Sequence, residues 1–407
     1  MTSISVESVQ PNLLSNKKEE VIYFKNLDVL RFVAAFMVVI AHGYEGFHGW
    51  IGLPSFFRVA SEDVKTPNAI GKFFTQMFQN FGFGVDIFFL ISGFLITYLL
   101  LAEKEKSGGI SIRKFFVRRG LRIWPLYYLI VISAPFLIYF MNYIRLQWMN
   151  QIPSPNYSWY YFLIGNFDVI KTGQWMYPFA HLWSICIEEH FYILWPFVIA
   201  FVPKKYLMNL FILMISASVI ARVCYFVFDP EHAWFQIYLN TLCRIDVIII
   251  GAIVALIHHN KPINLKVSKT IRIIALIGFI WVLGVEPIVQ WDTIFLAGVK
   301  KYFYILWVGF LLINFLFNEK PLLEFKNKGI FHYLGKISYG IYIYHNILVG
   351  IVIDNILLRY GPERISFGLF FLIYFSLTIV VSIISWEIFE KHILKLKGRF
   401  EVVRTTR

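Results

Sequence analysis

Charged residues and cysteines are scarce in this 407-residue sequence, and these absences narrow the class of protein. Only 15% of the residues are charged, whereas soluble globular domains contain about a quarter, so an ordinary water-soluble domain is excluded. The three cysteines, Cys186, Cys224 and Cys243, form no CxxC pair and lie in apolar stretches. They therefore predict small buried side chains, not a disulfide framework or a cysteine metal site.

Apolar and aromatic residues dominate instead. Hydrophobic residues make up 58% of the chain, which contains 42 Phe and 23 Tyr. A hydrocarbon core of about 30 Å requires a helix of about 20 apolar residues. Ten apolar runs are long enough, near residues 27–45, 80–101, 123–141, 182–202, 207–228, 240–257, 271–289, 302–317, 337–357 and 367–388. The sequence therefore predicts an all-α polytopic membrane protein with about ten transmembrane helices.

The distribution of positive charge predicts how these spans are oriented. Residues 1–26 are polar and lack the apolar core of a signal peptide. If they are cytoplasmic, 26 of the 38 Lys and Arg residues lie inside, nine lie outside and three are intramembrane. This bias follows the positive-inside rule and places both termini in the cytoplasm. Topology and contact with anionic membrane lipid thus explain the net charge of +13, with no nucleic-acid partner.

The sequence divides into three regions, with no internal repeat or appended soluble domain evident. We predict a polar cytoplasmic N-terminal tail (1–23), a transmembrane domain (24–391) and a basic cytoplasmic C-terminal tail (392–407). The apolar stretch 159–170 is too short to span the bilayer, so we expect it at the interface or as a re-entrant segment.

Two ionisable residues, Arg31 and His42, lie inside the first apolar run, where such groups are costly and by default suggest function. Eleven helical steps of about 100° return to within roughly 20° of the starting direction. Both side chains are therefore expected on one helix face, three turns and about 16 Å apart. The alternative for His42 is an imidazole that is simply satisfied at a helix–helix interface.

Arginines cluster before the third span, in the segment from Arg113 to Pro125. Arg119 and Arg122 are three residues apart and share a helix face, and Arg118 directly precedes them. Paired guanidinium groups at a membrane surface suit phosphate oxygens. From spacing alone, an anchor on lipid headgroups fits at least as well.

The fourth span opens with His181, Glu188, Glu189 and His190, a set that packing alone explains poorly. We expect His181, Ser184 and Glu188 on one face. The two glutamates diverge by about 100° and should have different tasks. The structural alternative pairs one glutamate with an intramembrane arginine and places the other at an interface. No zinc-site spacing is present, so no metal site is predicted.

Other polar residues in the spans have both structural and functional explanations. Ser92 and Gly93 permit close helix approach, and packing is the simpler explanation. Arg222 and Arg244 are predicted to form structural ion pairs, with a glutamate as a plausible partner for Arg222. Asp86 would orient an imidazole or sit among headgroups. A stripe on the ninth span would form a packed seam or a cavity wall: Tyr339, Tyr342 and His345 or Asn346.

Together, these segments resemble the acyltransferase-3 family of integral membrane O-acyltransferases. The matching motifs are Leu-Asp-Val-Leu-Arg31 with His42, Val85-Asp86-Ile-Phe-Phe-Leu-Ile-Ser92-Gly93, Arg119-Gly-Leu-Arg122-Ile-Trp-Pro, His181-Leu-Trp-Ser-Ile-Cys-Ile-Glu188-Glu189-His-Phe-Tyr, Arg244-Ile-Asp246 and Leu-Gly-Lys-Ile-Ser338-Tyr339. Each is weak alone, but the ordered set is specific and covers nearly the whole chain. His190 departs from the usual Gln. We expect a stand-alone form without the extracytoplasmic esterase-like domain that many relatives carry.

The resemblance implies transfer of an acyl group, often acetyl, from cytoplasmic acyl-CoA to a hydroxyl of an extracytoplasmic or lipid-linked glycan. Acyl-CoA is then a co-substrate, no cofactor is bound, and the location is a bacterial inner (plasma) membrane. The catalytic candidates are His42, Glu188 and Arg31, with Arg118, Arg119 and Arg122 for the acyl donor. Candidates for acceptor binding or structure are Asp86, Ser92, His181, Glu189, Arg244 and Tyr339.

In this mechanism His42 acts either as a general base on the acceptor hydroxyl or as a nucleophile that carries the acyl group. Glu188 is the preferred residue to orient His42 or to deprotonate the acceptor. The main competing hypothesis is a transporter that flips a lipid-linked saccharide, for which intramembrane charges are also suitable. A membrane glycosyltransferase is disfavoured because it would usually bring a sizeable domain for the sugar carrier.

Overall fold

A computed structural model gives the chain a helical architecture. Apart from isolated positions, the structure describes residues 26–50, 69–144, 154–175, 178–288, 293–320, 329–353 and 364–403. The predicted N-terminal tail lies almost entirely outside these ranges, as do the last four residues of the predicted C-terminal tail. Within the described ranges, the only departure from helices, turns and loops is an isolated β-bridge between Leu265 and Asn318.

Sixteen α-helices, numbered in chain order, make up the described part of the fold. They are α1 (Leu27–Trp50), α2 (Ala69–Asn80), α3 (Gly84–Ser107), α4 (Ile112–Ile144), α5 (Tyr157–Tyr161), α6 (Gly165–Thr172), α7 (Trp183–Phe201), α8 (Lys204–Phe228), α9 (Ala233–Leu239), α10 (Thr241–Asn260), α11 (Lys269–Val285), α12 (Lys301–Phe317), α13 (Ile330–Lys336), α14 (Ser338–Val352), α15 (Phe367–Ser385) and α16 (Lys391–Leu396). Short 3₁₀ or π turns extend several of them.

Where the predicted spans are described, each of the ten contains a helix, so the all-α polytopic membrane class is confirmed. Within the described ranges, eight helical stretches are long and apolar enough to cross a membrane. The seventh and ninth predicted spans correspond to α11 and α14, which are shorter, with 17 and 15 residues. The apolar stretch 159–170 does not span; it is divided between the short helices α5 and α6.

Glycines set the closest helix contacts in the core. A Cβ atom added to Gly93 of α3 would lie 1.8 Å from the carbonyl oxygen of Ile248 on α10. One added to Gly251 of α10 would lie 2.1 Å from the carbonyl oxygen of Leu90 on α3. The prediction that Gly93 permits close approach is therefore confirmed, because only a residue without a side chain fits there.

Helix α1 lies in the interior and contacts α3, α13 and α14. Its approach to α3 depends on Gly84, where an added Cβ would lie 2.4 Å from the carbonyl oxygen of Ala34. Its first turn meets α13 at Gly335, where an added Cβ would lie 2.0 Å from the carbonyl oxygen of Asp28. Because α1 is continuous from Leu27 to Trp50, Arg31 and His42 keep the helical spacing that the sequence predicts.

Candidate active site

A cavity of about 90 Å³ lies between α1, α3, α4, α7 and α14. Its apolar walls come mainly from α3, and polar side chains from all five helices face it. The polar lining residues are Arg31, Ser92, Arg119, Arg122, Ser184, Glu188, Tyr192, Ser338, Tyr339 and Tyr342. The cavity thus brings together residues from five of the six motifs.

One end of the cavity is cationic. Arg31 Nη1 lies 3.0 Å from the Oδ1 of Asp28, one turn earlier on α1. Within the described part of the chain, Arg119 and Arg122 form no ion pair, although both face the same cavity. The Arg119 guanidinium instead lies over the Tyr192 ring, 5.7 Å from its centroid, and its Nε is buried without a hydrogen-bond partner. Unneutralised guanidinium groups in such a setting suit an anionic ligand.

Arg118 lies apart from this group. Its Nη2 donates to Glu103 Oε2 at 2.8 Å, and its Nη1 donates to the carbonyl oxygen of Phe400 at 2.9 Å. It does not line the main cavity. The three neighbouring arginines of the motif therefore differ: two face the cavity, while Arg118 ties α3 and the C-terminal segment to α4.

The adjacent glutamates of α7 point in different directions, as helix geometry requires. Glu188 lines the cavity, where its carboxylate accepts from Ser92 Oγ at 2.9 Å and from Tyr192 OH at 3.0 Å. Glu189 does not line it and accepts from Trp124 Nε1 at 2.8 Å, while its Oε1 is buried without a hydrogen-bond partner. Of these two glutamates, only Glu188 therefore lines the main cavity with Arg119 and Arg122.

At the far end of the cavity from the arginines, α7 meets α14. Ser184 Oγ lies 2.6 Å from Tyr342 OH, which also donates to the carbonyl oxygen of His181 at 3.0 Å. His181 is buried in the short turn before α7, and its Nε2 donates to the carbonyl oxygen of Ile343 at 3.0 Å. Of the three residues predicted to lie on one face, Ser184 and Glu188 line the cavity, whereas the His181 imidazole binds the α14 backbone.

His42 pairs with His345, 303 residues later in the chain. Their rings stack with centroids 5.0 Å apart, and His42 Nδ1 lies 2.8 Å from His345 Nε2. His345 Nδ1 faces the carbonyl oxygen of Tyr342, which only accepts, so this nitrogen carries the proton. In the neutral pair His345 Nε2 is then the acceptor and His42 Nδ1 the donor. The Nε2 of His42 therefore retains an unprotonated lone pair.

The remaining polar candidates are held in structural contacts. Asp86 Oδ1 lies 3.0 Å from Arg244 Nη2, and both side chains are buried. The Arg244 guanidinium is surrounded by aromatic rings, those of Phe89, Trp183 and Tyr238. Tyr339 lines the cavity, but its hydroxyl donates to a backbone carbonyl oxygen of α4 at 2.9 Å. The ion-pair interpretation of Arg244 is therefore confirmed.

Arg222 also forms a structural ion pair, but the expected glutamate partner is wrong. Its Nη1 donates to Asp246 Oδ2 at 2.7 Å. Lys301 Nζ donates to the other carboxylate oxygen at 2.9 Å, and the Tyr302 hydroxyl donates to Oδ2 at 2.6 Å. Asp246 is the partner because α8 packs on α10, whereas the glutamates of α7 face α3 and α4.

Sequence reasoning missed two parts of the site. Tyr192 was not predicted, although it follows Glu188 by one helical turn and so had to share its face. His345 was placed only on a stripe together with Asn346, because the spacing of α14 does not show which residue meets α1.

His190, the departure from the family motif, contacts Thr241 Oγ1 at 2.7 Å and does not line the cavity. Among the described residues, no group of three or more His, Cys, Asp or Glu side chains is arranged to hold a metal ion.

Comparison with known proteins finds sequence similarity over the part of the chain that contains the cavity residues. The acyltransferase-3 profile, described as an acyltransferase domain, matches residues 24–387. O-acetyltransferase OatA of Staphylococcus aureus is 27% identical over 340 residues, which cover 77% of this chain and 52% of that protein. A putative O-acetyltransferase of the same species is 27% identical over 322 residues. These residues cover 75% of this chain and 52% of the length of that relative.

This chain therefore spans about half the length of these curated relatives. No solved structure gives a significant match. The family profile covers most of the chain, including every motif that lines the cavity. The chain belongs to the acyltransferase-3 family of integral membrane acyltransferases.

Proposed function

We propose that this protein transfers an acetyl group from cytoplasmic acyl-CoA to a hydroxyl of an extracytoplasmic or lipid-linked glycan. The observation that carries the proposal is one intramembrane polar path with unpaired arginines at one end and a histidine pair beyond the other. The relatives named as O-acetyltransferases support acetyl as the acyl group and oxygen as the acceptor atom. The charge bias of the loops supports a cytoplasmic arginine end in a bacterial plasma membrane.

The donor is held at the arginine end. Acyl-CoA is anionic, and three guanidinium groups face one carboxylate, Glu188, among the residues that line the cavity. An extended pantetheine arm of ~20 Å matches the ~16 Å of helix between Arg31 and His42. Arg119 and Arg122 hold the donor phosphates, and Arg31 adds a third cation.

The chemistry takes place at His42. As a general base, its Nε2 takes the proton of the acceptor hydroxyl while the oxygen attacks the thioester carbon; the carbon–sulfur bond breaks, and the proton passes to the leaving thiolate. As a nucleophile, Nε2 attacks the thioester carbon and the carbon–sulfur bond breaks with release of the thiolate; the acceptor oxygen then attacks this carbon, the bond to Nε2 breaks, and the hydroxyl proton passes to the thiolate. His345 holds His42 in the tautomer that either route needs. Glu188 has no contact with His42 and acts on the cavity side.

The test is turnover of acetyl-CoA by the purified protein with a glycan acceptor. His42→Ala should abolish transfer, and near-normal transfer by a well-folded variant would remove His42 from catalysis. Arg119→Ala with Arg122→Ala should raise the apparent KM for acetyl-CoA at least tenfold. The matched control is Arg113→Ala with Lys114→Ala, which removes two exposed cations from the same helix. An unchanged KM in the first pair would reject the donor site.

The two catalytic routes and the competing hypothesis have their own readouts. Intact-protein mass spectrometry after incubation with acetyl-CoA alone should show an added acetyl group if His42 is the nucleophile, and none if it is the general base. A protein that neither binds nor consumes acetyl-CoA, yet moves a lipid-linked saccharide across vesicles, would replace the enzyme proposal with a flippase.

A further inference from the structure

The C-terminal segment, residues 391–403, is docked against the arginine end of the fold. After α16 the chain forms a 3₁₀ turn, Lys397–Phe400. The carbonyl oxygen of Phe400 accepts from Arg118 Nη1 at 2.9 Å, and that of Val402 accepts from Lys106 Nζ at 3.2 Å. These contacts hold the segment against the start of α4, beside the proposed donor mouth.

A second, smaller cavity of about 30 Å³ lies between this segment and α3 and α4. Its charged lining consists of Glu103, Arg118, Arg119, Lys397 and Glu401. Arg119 also lines the main cavity, so the two cavities are neighbours that share one guanidinium group. A ligand with two separated anionic groups would meet Arg119 from both sides.

The charges in the small cavity are incompletely paired. Arg118 is neutralised by Glu103 at 2.8 Å, but Lys397 Nζ lies 3.7 Å from Glu401 Oε1, too far for a hydrogen bond. Within the described part of the chain, Arg119 Nε is a buried donor without a hydrogen-bond partner; Glu401 Oε1 also has none, but it is an acceptor and offers nothing to an anion. Lys397 is also within electrostatic reach of Arg119 and Arg122, which repel it. An additional anion would satisfy these cations.

We propose that Lys397 and Arg119 form a second anion subsite that binds the 3′-phosphate on the ribose of acyl-CoA. This inference rests on the proposed function. The diphosphate is directly attached to the pantetheine arm and so belongs at the mouth of the main cavity. The 3′-phosphate is on the ribose that carries the diphosphate at its 5′ oxygen, so it is a second anionic group a few ångströms from the first and would reach the cavity on the other side of Arg119. The subsite would select free acyl-CoA over donors whose phosphopantetheine lacks the nucleotide.

The experiment compares acetyl-CoA with acetyl-3′-dephospho-CoA as donors for the full-length purified protein. The wild type should show an apparent KM about tenfold higher for the dephospho donor. Lys397→Gln should raise the KM for acetyl-CoA about tenfold. It should leave the KM for the dephospho donor unchanged, because that donor has no 3′-phosphate for Lys397 to bind. Lys397→Arg should preserve the preference. Lys395→Gln, which removes an exposed cation from the same segment, should behave as wild type.

Equal effects of Lys397→Gln on both donors, or no effect on either, would overturn the 3′-phosphate subsite. This result differs from the one expected if the proposed function itself is wrong. If the proposed function is wrong, the wild type will use neither donor, or Arg119→Ala with Arg122→Ala will leave the KM for acetyl-CoA unchanged.

Discussion

Replacing His345 with leucine should slow acyl transfer without weakening donor binding. His345 is fully buried and is the hydrogen-bond partner of His42 Nδ1 at 2.8 Å. Leucine fills a similar space but offers no acceptor. The Nδ1 proton of His42 then either stays unpaired in a buried place or moves to Nε2, the nitrogen that the reaction needs unprotonated.

The size of the effect follows from that lost hydrogen bond. An unsatisfied buried donor costs about 1–3 kcal/mol. Because each 1.4 kcal/mol corresponds to a factor of ten, kcat should fall roughly 5- to 150-fold. The apparent KM for acetyl-CoA should stay within a factor of about two, since the arginines that we propose to bind the donor lie at the other end of the proposed path. His345→Gln, whose amide oxygen offers an acceptor near the position of Nε2, should retain more activity than His345→Leu.

The assay is steady-state acetyl transfer by purified variants, with amounts normalised to folded protein by thermal unfolding in detergent. A His345→Leu variant with wild-type kcat would refute the tautomer argument. A variant that lost kcat and donor affinity together would also refute it, because that outcome indicates general disruption of the bundle.

Two further predictions test the glutamate pair and the helix packing. Glu188→Gln should lower kcat at least tenfold, whereas Glu189→Gln, outside the cavity and bound to Trp124, should change it less than threefold; equal losses in both variants would contradict the assignment. Gly93→Ala should lower the free energy of unfolding by about 1–3 kcal/mol, since its Cβ would meet a backbone carbonyl of α10 at 1.8 Å. The control Gly309→Ala, with no atom within 4 Å of its added Cβ, should not lower it; the readout is the midpoint of thermal unfolding.

The local parts of the architecture could be predicted from the sequence. Within the described ranges, apolar runs located all eight helical stretches that are long and apolar enough to cross a membrane, because length and hydropathy are properties of single segments. Spacing within one helix placed Arg119 and Arg122 on one face and separated Glu188 from Glu189, and the cavity shows both results. Small-residue patterning at Gly93 also indicated where two helices approach most closely.

The pairings between helices could not be predicted, because they depend on tertiary packing that spacing does not encode. His42 and His345 are 303 residues apart, and nothing in either helix identifies the other. The role of Arg118 depends on whether Glu103 of α3 reaches it, and the spacing of residues along α4 does not show this. The partner of Arg222 was misjudged for the same reason: glutamates and Asp246 are equally charged, and only the contact of α8 with α10 selects one.

The contrast between paired and unpaired arginines is the strongest physical argument for a ligand. Arg222 is almost fully buried, with 1% of its side chain exposed, and Asp246, Tyr302 and backbone carbonyls satisfy it. Such a cluster compensates its own desolvation and requires no ligand. Arg119 and Arg122 have no such partner in the described part of the chain, yet they share a narrow cavity and repel each other. Glu188 is the one carboxylate among the residues that line this cavity, so a bound anion would compensate the excess positive charge, and the phosphate of the proposed donor has the required charge.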